Sequence, residues 1–477
     1  MMTETDPTAA LDAVLRYHEA SKHRAGGFAP GPGPVDWDGQ PAAVRRYPGS
    51  YRLPLVASRV PPGPAGAMTL GRMLALSLGV TAWKVEGDDA RPVRAVPSSG
   101  GLYPVEAHVI AGGVLGLTDG IWHYDPEAHG LELRAEAEVS PGLWVALSSV
   151  MGREAWKYGI RAFRYTQLDL GHAIGALANG AAAMGWPVAM LPPEGLGDLL
   201  QPGDGETPEI LLSIGSSGAP AIRNARWQGG AEPVGAGLCD PWPELREVAA
   251  ATAAPPGWGD PVPGAGVPRP KPQHLQARRS ARRFTAKEPV PAGSLARILA
   301  ALAPQNAPGG FWPFAPAVHA FAMIHKVEGV APGLCLLPRG RGAPDLPGTA
   351  EPLLPGLVRL REGDLRRDAR RLSCGQGIAA EGALCLSLVA ETAPIAADPW
   401  RYRQLHWEAG LLGQRLYHAA TAEGLGASGI GCFLDGEAAA FLGLDPARHA
   451  VLYHFAIGRA RPDPALRDRP PDPPSDW

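Results

Sequence analysis

Lys157 and Tyr158 stand side by side in Trp156-Lys-Tyr-Gly-Ile-Arg-Ala-Phe-Arg-Tyr-Thr-Gln-Leu-Asp-Leu-Gly-His172. A neighbouring ammonium and phenol can exchange protons with a bound molecule once burial or proximity draws their pKa values toward neutrality. Alone, such a pair is as well read as a solvated Lys beside a half-buried Tyr. Arg278-Arg-Ser-Ala-Arg-Arg-Phe284 sets Arg278, Arg279 and Arg282 around Ser280. Guanidinium forks and a hydroxyl suit a phosphate, although a solvated basic run is the plainer alternative. In Pro97-Ser98-Ser99-Gly100-Gly101 the glycines permit close backbone approach, and the hydroxyls can bond the edge of a planar ring. Gly424-Leu-Gly-Ala-Ser-Gly-Ile-Gly431 reads as a helix-ending loop whose Gly429 and Gly431 could present backbone amides. It is no dinucleotide fingerprint, because it follows a helix instead of a strand. Arg459 is a further phosphate candidate, and His172 reads as a buried ring satisfying a carbonyl.

These groups need elements to hold them. Leu170, Ile174, Leu177, Ala178, Ala181 and Met184 recur at helical spacing, and Gly185 and Pro187 end the helix. Ala10 to Arg24 reads as a short helix, followed by a Gly/Pro loop from Ala25 to Pro41. Thr69 is placed to cap a helix bearing Leu70, Met73, Leu74 and Leu78 and closed by Gly79. Ala107 to Gly113, Gly120 to Tyr124 and Glu209 to Ile214 read as strands. Residues 219–273 are Pro/Gly-rich and read as a linker with a small ordered piece near Trp242 to Val248; 461–477 read as an extended tail.

With 477 residues, 45% apolar and 19% charged, the chain has room for two or three domains with a sizeable core. A net charge of -3 gives no electrostatic case for nucleic acid or an anionic membrane. No apolar run is long enough to span a bilayer, and the first residues lack signal-peptide character. The five cysteines (Cys239, Cys335, Cys374, Cys385, Cys432) are scattered and read as reduced thiols of a cytoplasmic protein, with no metal site.

The chain also repeats itself. Thr69-Leu-Gly-Arg-Met-Leu-Ala75 matches Ser294-Leu-Ala-Arg-Ile-Leu-Ala300, and Gly100-Gly-Leu-Tyr-Pro104 matches Gly309-Gly-Phe-Trp-Pro313. Arg164-Tyr-Thr-Gln-Leu168 matches Arg401-Tyr-Arg-Gln-Leu405, and a strand ending Ile214-Gly215 matches one ending Ile457-Gly458. The order points to a tandem duplication: an N-terminal helix and loop (1–43), copy one (44–218), linker (219–273), copy two (274–460) and tail (461–477).

Lys157-Tyr-Gly-x-Arg-x-x-Arg-Tyr165 with Asp169-x-Gly-His172, and Pro97-Ser-Ser-Gly-Gly101 upstream of it, resembles the SagB-type azoline dehydrogenases. His18-x-x-Ser-Lys22 is similar to a segment near the start of that family. These are flavin enzymes of the nitroreductase superfamily that act in thiazole/oxazole-modified peptide biosynthesis. The resemblance implies an α+β fold of mixed sheet and packed helices, with FMN at the interface of two units. Here the two tandem units would form an intramolecular pseudo-dimer needing no second chain. It implies Lys157 and Tyr158 as the acid/base pair, a modified precursor peptide as substrate, and a cyclodehydratase as partner. The segment Arg278 to Phe284 is similar to the one with which nitroreductases hold the FMN phosphate. Pro97 to Gly101 and the Gly429–Gly431 loop correspond to segments that approach the ring. Before Thr69 the first copy offers only Ala57-Ser-Arg-Val60; the second has Asn306-Ala-Pro-Gly-Gly310 in place of Pro97 to Gly101. The Lys157-Tyr158 place falls on Pro394-Ile395, so one FMN per chain is expected. A nitroreductase-type NAD(P)H reductase and a non-catalytic peptide-binding partner remain the alternatives.

Overall fold

The computed structural model describes residues 7–56, 60–216, 218–235, 237–255, 257–258, 270–285, 288–303, 311–340, 342–345 and 350–468. The segments Ala57 to Arg59 and Asn306 to Gly310, on which part of the repeat argument rests, lie outside them.

Two sheets carry the molecule. The first orders its strands Arg52–Pro54, Gly130–Val139, Gly120–Asp125, Val105–Gly112, Gly142–Ser149, Thr207–Ile214 and Val188–Leu191. The second orders Glu351–Leu354, Leu357–Glu362, Gly333–Leu337, Val318–Ile324, Leu384–Glu391, His449–Gly458 and Gly426–Ile430. In sequence terms the inner strands of both follow one order. Among the described residues the pairings between these strands are antiparallel, unlike the mixed sheets that the resemblance implies. The central strands are buried on both faces and read as continuous apolar runs, as in Leu384–Glu391 and Val318–Ile324.

Each sheet leads into a long helix, Ala162–Met184 and Arg401–Ala422, and these two helices pack on each other at the centre. Glycine sets how closely they approach. A Cβ on Gly171 would lie 2.2 Å from the Trp407 carbonyl oxygen, and one on Gly410 would lie 2.1 Å from that of Leu168. The contact is reciprocal: Gly171 corresponds to Gly410, and Leu168 to Trp407. Arg164 therefore corresponds to Arg403, and the Arg164/Arg401 match read from the letters is two residues out of register.

Several expectations are corrected. The first helix spans Pro7–Ala20 and stops short of Arg24. The next spans Ala67–Ser77 with Gly66 as N-cap; Thr69 lies inside it, its hydroxyl accepting from the Gly66 amide at 2.9 Å. Within the supposed linker, Ile222–Trp227 is a strand on Gly130–Val139, and Pro243–Ala251 is a helix. The stretch 424–431 is mostly the edge strand Gly426–Ile430. The tail is not free: Leu466–Asp468 pairs with Val80–Glu86, joining Asp89–Arg94 in a third sheet. The long helix closes as expected, with Gly185 left-handed at φ 82°. Among the described residues no helix is long and apolar enough to cross a membrane.

The crossing can be tested. Gly171→Ala or Gly410→Ala should lower the unfolding free energy by about 1–3 kcal/mol in urea titrations, despite alanine's better helix propensity. Gly436→Ala, whose Cβ would meet nothing within 4 Å, should leave stability unchanged or raise it.

Candidate functional site

Between the two halves lies a cleft of about 590 Å³ that draws residues from both. Its lip is the turn from Pro97 to Gly101, directly ahead of strand Val105–Gly112. Gly100 has φ 62°, and a Cβ there would meet the Tyr158 hydroxyl at 2.5 Å and Lys157 Nζ at 3.2 Å. The glycine is needed both for its backbone angle and to let the two side chains converge on the lip. Asp169, on the long helix, fixes that lip by accepting the Ser99 amide at 3.0 and 3.1 Å and the Ser99 hydroxyl at 3.0 Å. The Ser98 hydroxyl accepts the Tyr103 amide at 2.8 Å.

Burial separates Lys157 from Tyr158 instead of drawing both toward neutrality. Desolvation pushes the half-buried Lys157 ammonium below its ordinary value, only partly opposed by Glu154. The same desolvation pushes the Tyr158 phenol well above its own, so at neutral pH it is a protonated donor. Asp169, which the sequence reading placed in a motif but gave no role, is pushed up to about 7 by burial, against the pull of Ser98 and Ser99. Glu154 was missed altogether. It is fully buried one turn before Lys157, and neither carboxylate oxygen has a hydrogen-bond partner among the described residues. Burial, with Asp169 nearby, holds its pKa well above the usual range.

The opposite wall is the segment Arg278 to Arg282. Arg278 is buried and donates to the carbonyls of Ala95 at 2.6 Å and Arg94 at 2.7 Å, bracing the strand that leads to the lip. Arg279 donates to Thr81 and Asp468. Both are largely engaged in joining the halves. Arg282 is different: its side chain is 60% exposed, and among the described residues its ion-pair partners are Glu86 and Asp463, at 3.5 and 3.6 Å. Ser280 shares a 2.8 Å hydrogen bond with the Tyr417 hydroxyl. Gly429 and Gly431 line the cleft, but for a reason other than amide presentation. A Cβ on Gly429 would strike the Tyr453 hydroxyl at 1.7 Å, one on Gly431 would strike Tyr165 at 2.4 Å, and the Gly429 amide donates to Tyr417. Tyr165, Tyr417 and Tyr453 thereby form an aromatic floor. Arg459 is outside the lining and pairs with Glu288 at 3.3 Å. His172 is buried against Gln414 and Tyr453 at 3.1 and 3.2 Å.

The described residues of the corresponding place on the other side of the helix crossing are built alike. Glu408 accepts the Ala317 and Val318 amides ahead of strand Val318–Ile324, as Asp169 does ahead of its strand. There Trp312, Phe314, Trp400 and Trp258 pack ring against ring, with centroids 5.1 to 5.8 Å apart.

Residues 357–459 match the Nitroreductase family model. A protein of Methanocaldococcus jannaschii carrying a provisional nitroreductase name is 30% identical over 118 residues, 22% of this chain and 56% of the relative. The chain thus spans little more than half of that relative's length. The solved structure of a provisionally named nitroreductase from Anabaena variabilis superposes on 94% of this chain and 99% of its own, with TM-score 0.74 and 23% identity. Another such structure, from Ralstonia eutropha, covers 43% of this chain and 97% of its own, with TM-score 0.30 and 20% identity. The chain therefore contains a nitroreductase-family segment and has a nitroreductase-like fold.

A buried carboxyl with a raised pKa has a thermodynamic signature. A raised folded-state pKa contributes stability below the unfolded value near 4.5 that is lost as pH rises. Glu154→Gln should therefore gain in melting temperature over the parent as pH goes from 5 to 8. A constant difference across that range would show that Glu154 is ionised in the folded protein.

Proposed function

We propose that the chain is an FMN-dependent oxidoreductase, built as two tandem nitroreductase-like units (44–218 and 274–460), that oxidises azolines in a ribosomally made peptide to azoles. The observation that carries this reading is the convergence of Lys157, Tyr158 and the Ser98–Gly101 lip from one half with the Arg278–Arg282 segment from the other on one cleft. The donor set fits FMN. Arg282 and Ser280 offer a guanidinium and a hydroxyl to the phosphate, while the tyrosine floor and the glycine lip suit a planar ring. Bound FMN would supply the two-electron oxidation.

The chain's own groups supply the proton chemistry. Lys157 Nζ, with its lowered pKa, takes the proton from a ring carbon of the substrate. The Tyr158 hydroxyl, held protonated, donates a hydrogen bond to the substrate ring. Asp169 keeps Ser99 and the lip in place. The azoline itself would come from a cyclodehydratase acting on the precursor peptide. A single site per chain is supported by the aromatic packing at the corresponding place, and by Ala396 and Ala397, which stand there in place of Lys157 and Tyr158 once the helix register is corrected.

Turnover of an azoline peptide should fall ~10²–10⁴-fold in Lys157→Ala and Tyr158→Phe with FMN content unchanged. Near-normal turnover in both would remove the pair from the chemistry, and rapid reduction of the bound flavin by NADPH would favour a nitroreductase-type reductase. A saturating FMN titration should end at one equivalent per chain, with Arg282→Ala and Ser98→Ala, from different halves, both weakening binding. A second equivalent would overturn the single-site reading.

A further inference from the structure

Beside the cleft, two thiols that the proposed chemistry does not use lie on neighbouring segments. Cys432 lines the cleft just past strand Gly426–Ile430, and Cys374 follows helix Arg366–Leu372. Two hydrogen bonds hold their segments together: the Leu434 amide to the Leu372 carbonyl at 2.8 Å, and the Gln376 side chain to the Cys432 carbonyl at 3.3 Å. These bonds bracket the two cysteines, close enough that each thiol acts on the charge of the other. Cys374 has φ 54°, a left-handed angle that non-glycine residues adopt rarely. Both thiols are partly exposed, whereas Cys335 and Cys385 are buried.

The surroundings divide the pair into nucleophile and partner. His23 accepts the Ala29 amide on Nδ1 at 2.9 Å, and its ring acts on the Cys432 thiol from the same side. The Arg161 guanidinium is anchored on the adjacent Gly431 carbonyl at 2.8 Å. Together with the Cys374 thiol, these groups favour negative charge on Cys432 and hold it below the ordinary thiol range, while Cys374 is pushed above it.

We propose that Cys432 and Cys374 form a peroxide-reactive dithiol site that closes to a reversible disulfide in the cleft wall. The Cys432 thiolate attacks one oxygen of hydrogen peroxide; the S–O bond forms, the O–O bond breaks, and hydroxide leaves to take up a proton as water. Sulfur is oxidised by two electrons and peroxide is reduced. The Cys374 thiol then attacks the sulfenic sulfur; the S–S bond forms, the S–O bond breaks, and the departing oxygen leaves as water with the thiol proton. Two thiols and one peroxide thus give one disulfide and two waters, and a small dithiol reductant reverses the change.

The test uses the full-length protein as purified, reduced, exposed to one equivalent of hydrogen peroxide and blocked with N-ethylmaleimide before peptide mass mapping without reductant. Cys374 and Cys432 should lose alkylation together and appear as one cross-linked peptide pair, while Cys239, Cys335 and Cys385 gain no oxidised form. Dithiothreitol should restore both adducts. In Cys374→Ser, dimedone should label Cys432 after peroxide; in Cys432→Ser, Cys374 should stay fully alkylatable. Unchanged alkylation of both thiols in the parent protein, or oxidation of Cys374 in Cys432→Ser, would overturn the proposal.

Discussion

The close crossing of the two long helices is the constraint on which the remaining structure depends. Gly171 and Gly410 let each backbone touch the other, and that contact fixes how the two sheets stand to each other. The cleft follows from that placement: its lip, Lys157 and Tyr158 belong to one half, and its cationic wall to the other. A larger residue at either glycine would separate the halves along the line where His172 meets Tyr417.

Buried charge reinforces the crossing and sets its direction. Arg161 and Arg164 reach over to Asp435 at 3.1 and 2.5 Å, and Arg403 reaches back to Glu209. The paired guanidiniums hold the Asp435 carboxyl far below the usual range despite its burial. Such pairs add little net stability over apolar packing, but removing one partner strands a buried charge, so they penalise misalignment of the halves. The arginines of the Lys157 motif thus serve the joint between halves, while Lys157 and Tyr158 end the short helix Met151–Tyr158 that precedes them.

What the sequence reveals depends on how local each signal is. The helix Ala162–Met184 is visible in its apolar spacing and in Gly185, because both are written within one turn of where they act. The gathering of Ser98, Lys157 and Arg282 is visible through the resemblance. Asp169 is not, because its work is a contact with an amide 70 residues away. Glu154 looks like any helical glutamate until its burial is seen. Strands Ile222–Trp227 and Leu466–Asp468 escape because they are short, largely exposed and polar, with partners far off in the chain. The repeat is visible, but its helix register is not: Arg-Tyr-x-Gln-Leu aligns the letters, whereas the backbone aligns the glycines.

Strand Leu466–Asp468 lies beside Val80–Glu86, and Asp463 and Leu466 line the cleft. During synthesis these residues leave the ribosome after every other part of the cleft wall. The first half can fold while the second is still being made, but it must wait with one sheet unfinished and one wall of its cavity missing. The cavity is thereby walled in only once residue 466 has been made, and a nascent chain stalled before residue 463 would carry the lip and its side chains without that last strand.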